Sequence, residues 1–266
     1  MLPAQIAQNL ARVRTRVDDA ARAAGRAASD LRLLVATKTQ PADAVRAVVE
    51  AGADLIGENR VQELVAKAPD LADLVAAGRV EVHMIGHLQR NKVNQVLATA
   101  TGVESVDSLA LAEALAARCA RDGRALDVLV QVNVSGEESK SGVRPDDAPA
   151  LATAVAALDG LRLAGFMTIG ANSPDEAVVR AGFARLRAVR DAVVGSGAPG
   201  TADARALSMG MSGDLELAVA EGATIVRVGT AVFGPRPPPP REGARTPRWR
   251  ARSPGWRGGR GRGGCG

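Results

Sequence analysis

Tyrosine is absent from this 266-residue chain, and both tryptophans, Trp249 and Trp256, fall in its last stretch. Chemistry that requires a phenol is excluded, and residues 1–234 contain neither Tyr nor Trp. The two cysteines, Cys119 and Cys265, lie far apart with no C-x-x-C spacing. That argues against a disulfide framework or a zinc site and fits a reducing compartment. No apolar run approaches the roughly 18 residues of a membrane span. The opening MLPAQIAQNLARVRTRVDD has no continuous apolar core of the signal-peptide kind. Neither secretion nor membrane insertion is expected, and the expected location is cytoplasmic.

Acidic residues are nearly missing from one region. Between Pro235 and Gly266 stand nine arginines and a single acid, Glu242, a local charge of +8 within a chain whose net charge is +5. The remainder, residues 1–234, is therefore mildly acidic at −3. The basic stretch holds PRPPPP and RGGRGRGG and cannot bury enough apolar surface to offset its ordering entropy, so residues 235–266 read as a disordered tail. A weak, salt-sensitive nucleic-acid contact is one reading of it. A dispensable extension is the other, and no specific nucleic-acid partner is expected.

What is abundant is alternation. Eight short apolar runs read as buried parallel strands, at 31–37, 53–57, 80–86, 103–106, 126–134, 161–169, 205–209 and 224–229. Helix-like stretches separate them at 42–51, 58–68, 88–99, 109–121, 146–158, 175–194 and 215–221, and an amphipathic helix over 4–24 precedes the first strand. Eight units of about 29 residues match a single (β/α)8 TIM barrel with an extra N-terminal helix. A doubly wound open sheet is the competitor, but TKTQPADAV follows the first strand where a G-x-G-x-x-G would be needed.

In a barrel, period two separates lumen from helix-facing positions. Val128, Val130, Val132 and Val134 would face helices, leaving Gln131 and Asn133 to point inward near the C-terminal mouth. On the eighth strand Val226 and Val228 face outward, which turns Arg227 into the barrel, where it needs an acceptor. Beyond it, Gly229 and Thr230 form one loop and SMGMSGD (208–214) another, the pair of loops that holds a phosphate in many such barrels. Alternatively, Gly210 and Gly213 merely permit turns and Ser212 or Asp214 caps a helix.

Lysine is also scarce, with four (Lys38, Lys67, Lys92, Lys140) against thirty arginines. A lysine kept where arginine is preferred invites a chemical reason, since only lysine can lose its proton and form a Schiff base. Lys38 ends the first strand at the mouth. A solvated strand-end lysine is the plain alternative.

The segments LVATKTQP, GADLIGENRVQE, HMIGHLQRNKV, VNVSGEESKSG, LAGFMTIG and LSMGMSGDLELAVAEGATIVRVGTAVFG resemble the YggS/PROSC family of pyridoxal phosphate homeostasis proteins, over about residues 10–234. The resemblance implies a barrel of the alanine-racemase N-terminal kind (fold type III) that holds pyridoxal 5′-phosphate (PLP, from vitamin B6) as an aldimine on Lys38. It further implies Asn59 beside the cofactor, Ser212, Gly229 and Thr230 at its phosphate, Arg227 near its pyridine nitrogen, and Met209 lining the pocket through its backbone. Two departures stand out: Arg60 follows GEN where the family commonly has an aromatic, and the chain runs some thirty residues past FGPR.

An arginine at the pyridine nitrogen would leave that nitrogen unprotonated and weaken the electron sink. Related racemases take a second base as a tyrosine from a further domain, and neither that residue nor length for that domain is here. The expected function is thus PLP holding and supply without turnover, in a monomer, with PLP-dependent apoenzymes as recipients. A weak PLP-dependent racemase or lyase is the alternative. Lys140 and His87 are candidates for assisting release at the mouth, and His83 is expected in the core or on the outer face.

Overall fold

The computed structural model describes Met1–Pro235; the tail expected over 235–266 lies outside the described residues apart from Pro235. After α1 (Pro3–Ala23) the chain alternates strand and helix: β1 (Arg32–Ala36), α2 (Ala42–Glu50), β2 (Leu55–Glu58), α3 (Val61–Ala76), β3 (Glu81–Met84), α4 (Val93–Val96), β4 (Gly102–Val106), α5 (Leu109–Asp122) and β5 (Leu126–Gln131). It continues through α6 (Ala148–Ala156), β6 (Leu161–Met167), α7 (Glu176–Gly195), β7 (Ala206–Ser208), α8 (Leu215–Ala220), β8 (Ile225–Val228) and α9 (Thr230–Phe233). The eight strands pair in parallel, each with the next in sequence, and β1 closes on β8. The (β/α)8 barrel is the observed fold.

Two of the expected helices have different extents. The segment over 58–68 begins later, at Val61, and continues past Pro69 to Ala76. Its apolar stripe persists through Leu71 and Leu74, while Pro69 lies on the exposed side, so water can replace the N–H···O bond that proline forfeits. The segment over 88–99 shrinks to a 3₁₀ turn and the single turn of α4, with the backbone still extended at Gln89.

Burial follows the two faces of the staves. Val128, Val130, Val132, Val134, Val226 and Val228 join the core between barrel and helices. Inside, Leu34, Ala36, Leu55 and Ile225 form a small apolar plug from β1, β2 and β8. The other side of the lumen is polar. Glu104, Gln131, Thr168, Ser208, His83 and Arg227 are all buried, and such groups must find partners inside the barrel.

Candidate functional site

Strand register brings the expected residues to one arc of the rim. Leu34 lies opposite Arg227 and Val35 opposite Val228, while Ala36 lies opposite Gly57 on the other side. Lys38 lies in the turn two residues past the end of β1, half-buried, with Gly229 and Thr230 at the end of neighbouring β8 and Asn59 at the end of β2. Met209 and Ser212 follow β7, the next stave. All seven expected residues thus lie on four consecutive staves, β7, β8, β1 and β2.

Each is held in its own way. Thr37 and Thr39 bracket Lys38, and Thr39 is the one non-glycine residue with positive φ, at 65°, among the described residues. Asn59 is exposed, and its backbone is packed against Gly86 so closely that a Cβ there would meet the Asn59 carbonyl oxygen at 2.0 Å. Ser105 donates to the Gly86 carbonyl at 2.7 Å and fixes that glycine from below. Arg60, the departure from the family pattern, is exposed at the start of α3.

Ser212 and Thr230 meet across the two final loops, with Thr230 Oγ1 donating to Ser212 Oγ at 3.3 Å. Thr230 opens the short α9 directly after Gly229, whose Cβ, if present, would come within 3.0 Å of the Ala36 carbonyl. Arg16 of α1 donates to the Ser212 carbonyl at 2.7 Å while pairing with Glu216, and Asp214 accepts from the Met211 amide at 2.6 Å. Asp214 therefore closes the loop, and its side chain makes no capping bond to α8. Met209 donates its amide to Ile225 and buries its side chain in the outer core, so what it offers the mouth is backbone, at the turn into Gly210.

Arg227 is inside the barrel, as the alternation of β8 predicts. It donates to Thr168 O at 2.7 Å and to Ser208 Oγ at 2.9 Å. A guanidinium has five N–H donors, so others remain for a ligand atom. Burial lowers its pKa, opposed by the charge of Glu104.

From Arg227 a chain of groups crosses the lumen that sequence reasoning missed. Ser208 Oγ donates to Glu104 Oε2 at 2.6 Å, Glu104 Oε1 meets His83 Nδ1 at 2.9 Å, and His83 Nε2 lies 3.5 Å from Glu81, itself paired with Arg32. Burial alone would favour neutral Glu104, but His83 and then Arg227 and Ser208 hold it below the usual carboxylate range. Burial likewise lowers His83, yet hydrogen bonds to Glu104 and Glu81 overcome this and raise it to about 9. His83 thus faces the lumen, in place of the outer face allowed for it, because Val82 and Met84 take the outer positions. A Cβ at Gly102 would sit 2.6 Å from its ring, so glycine makes the room.

The two other candidates are at the mouth. Lys140 is bound to Glu137 at 2.6 Å and to the Gly170 carbonyl at 2.7 Å, lining a cavity of about 440 Å³ with Met211 and Asp214. His87 is exposed, 3.3 Å from Asp107. Of the pair expected to point inward, Gln131 ends β5 and is buried, while Asn133 lies past the strand and donates to the carbonyls of Glu137 and Lys140, which ties down the loop that bears Lys140.

The architecture is a parallel (β/α)8 barrel with a rim lysine flanked by loops bearing Ser212 and Thr230, and the alanine racemase N-terminal domain family matches residues 4–237. The pyridoxal phosphate homeostasis protein of Pseudomonas aeruginosa is 45% identical over 232 residues, covering 87% of this chain and 96% of that protein, and the one of Escherichia coli K12 is 41% identical, covering 87% and 97%. Among solved structures, PipY of Synechococcus elongatus with PLP bound is 34% identical with TM-score 0.73, covering 86% of this chain and all of that one. An unknown protein from Bifidobacterium adolescentis is 48% identical with TM-score 0.83, covering 87% and 95%. The chain belongs to the pyridoxal phosphate homeostasis protein family. Alanine racemase from Corynebacterium glutamicum, 20% identical with TM-score 0.60 and covered over 61% of its length, shares the fold.

Proposed function

We propose that this protein binds PLP and takes part in its intracellular homeostasis, holding the cofactor covalently on Lys38 and passing it to PLP-dependent apoenzymes. Family membership and the PLP-bound relative support the binding. The observation that carries the reading is the convergence of Lys38, Asn59, Ser212, Arg227, Gly229 and Thr230 on adjacent staves.

The donor set fits the group. Two facing hydroxyls beside Gly229 suit a phosphate ester, Arg227 keeps donors for a pyridine nitrogen, and a primary amine in the turn after β1 suits an aldehyde. When bound, PLP supplies a reactive aldehyde on an aromatic ring. Lys38 would be the residue that holds the aldehyde end, its primary amine being able to condense with a carbonyl with release of water. Arg227 stays protonated and hydrogen-bonded to Thr168 and Ser208, so it offers donors but no proton to the ring nitrogen. That arrangement favours storage over carbanion chemistry.

Among the described residues no helix is long and apolar enough to cross a membrane. The reading includes a cytoplasmic monomer whose folded barrel ends near residue 234. Its test is an absorption spectrum after adding PLP: a visible band present in the wild type and abolished by Lys38→Ala is expected. A band that survives Lys38→Ala would move the link elsewhere.

A further inference from the structure

Beside the turn that bears Lys38, on the outer face of the barrel, a cluster of charges lies between β2 and α3. Lys67 of α3 is buried within an otherwise apolar stripe of Val61, Leu64, Leu71 and Leu74. Its ammonium contacts Glu58 Oε1 at 2.5 Å, the Thr37 carbonyl at 2.9 Å and Glu63 Oε2 at 3.4 Å. Glu58 also accepts from Thr37 Oγ1 at 2.6 Å, and Glu63 Oε2 accepts from the Thr39 amide at 2.6 Å. The contacts of the cluster with the segment after β1 thus fall on the residues immediately before and after Lys38.

Such a cluster is a costly way to hold a helix on a strand. A buried ion pair is commonly no better for stability than apolar residues of the same size, and here Glu58 Oε2 is buried without a hydrogen-bond partner. Thr39 is meanwhile held at positive φ, where a residue with a Cβ is unfavourable without outside support. Two braces, one at the Thr37 carbonyl and one at the Thr39 amide, clamp a strained turn whose central residue is the proposed nucleophile. Chain scarcity points the same way, since this is one of four lysines in a sequence with thirty arginines.

We propose that Lys67, with Glu58 and Glu63, is a positioning centre for Lys38: it fixes the backbone on both sides of that residue and so aims its amine at the aldehyde. The inference rests on the PLP reading above. Glu58 shares the outer face of β2 with Ile56, away from the lumen side of Leu55, so the effect of the cluster is expected on covalent capture and not on recognition of the phosphate and ring.

The test compares two probes on apo-protein: PLP, followed by appearance of the visible band in a stopped-flow mixer, and pyridoxine 5′-phosphate, which lacks the aldehyde, followed by calorimetry. For Lys67→Met the capture rate is expected to fall roughly 10- to 100-fold, the scale on which misplacement of a reacting group acts, with pyridoxine 5′-phosphate affinity within about twofold of wild type. Glu63→Ala, on the half-exposed side of the cluster, leaves the buried pair intact and is expected to slow capture several-fold, whereas Glu63→Gln, which keeps an acceptor for the Thr39 amide, restores it. Wild-type capture rates in Glu63→Ala, or equal losses for both probes, overturn the proposal, and Glu63→Ala decides the matter if Lys67→Met does not fold. Absence of a band in the wild type itself would instead sink the PLP reading.

Discussion

Arg227 and Glu104 face each other across the barrel lumen through one hydroxyl, that of Ser208, which accepts from the guanidinium at 2.9 Å and donates to the carboxylate at 2.6 Å. The buried cation of β8 is therefore tied to the buried anion of β4 through that hydroxyl. Ser208→Ala breaks that link and leaves a buried donor and a buried acceptor each short of one partner. A loss of about 2–3 kcal/mol in urea unfolding is expected; a change below about 0.5 kcal/mol would show that the lumen repairs itself.

The same chain of charges sets a pH dependence. His83 titrates near 9 in the folded protein against 6.5 when free, so it binds a proton more tightly folded than unfolded. Its contribution is fully present below about pH 6.5 and is lost as pH rises through 9, on the order of 3 kcal/mol at most. Glu104, shifted down, contributes in the opposite sense: its share is present above its unfolded value and is lost as pH falls through the folded one. Unfolding midpoints measured from pH 6 to 10 should decline in the wild type and flatten in His83→Asn. With two histidines in the chain, an imidazole NMR titration reports His83 directly against exposed His87.

Gly86 makes a steric prediction. Its substitution by alanine would drive a methyl into the Asn59 backbone and is expected to cost about 3 kcal/mol or more, whereas Gly213→Ala, with open space around the new Cβ, should stay within about 0.5 kcal/mol. Thermal unfolding of the two variants side by side checks the contrast.

Arg16 reaches from α1 to the Ser212 carbonyl and to Glu216, so the N-terminal helix braces the loop proposed to hold phosphate. Arg16→Met should weaken pyridoxine 5′-phosphate binding about tenfold, the worth of one charge-assisted hydrogen bond. Calorimetry at fixed ionic strength measures it, and unchanged affinity would mean that the loop holds its shape without α1.

Turnover separates storage from catalysis. Exchange of α-deuterium on added amino acids is expected to be far below about 1 per second, because Arg227 in its proposed role would leave the ring nitrogen without a proton. Exchange at ordinary enzyme rates would favour the racemase or lyase alternative.

The fold was legible because eight apolar runs and intervening amphipathic stretches carry distinct periods, and the inward aim of Arg227 followed from Val226 and Val228 taking the outer positions. Scarcity of lysine singles out Lys38, whose role is part of the proposal, and it singles out Lys67 equally. Glu104, a lone charge inside GVESV, was the signal for the lumen network. What spacing could not encode was pairing: Glu104 meets His83 on the neighbouring stave and, through Ser208, Arg227 on a distant one. The end of α3 was misjudged at Pro69 because exposure, which the sequence does not state, decides whether a proline breaks a helix.

Borohydride reduction of PLP-treated protein, followed by peptide mass mapping, tests the central claim most directly. The account predicts a single phosphopyridoxyl adduct on the peptide that contains Lys38. An adduct on Lys67, Lys92 or Lys140 alone, or none on any lysine, would contradict it.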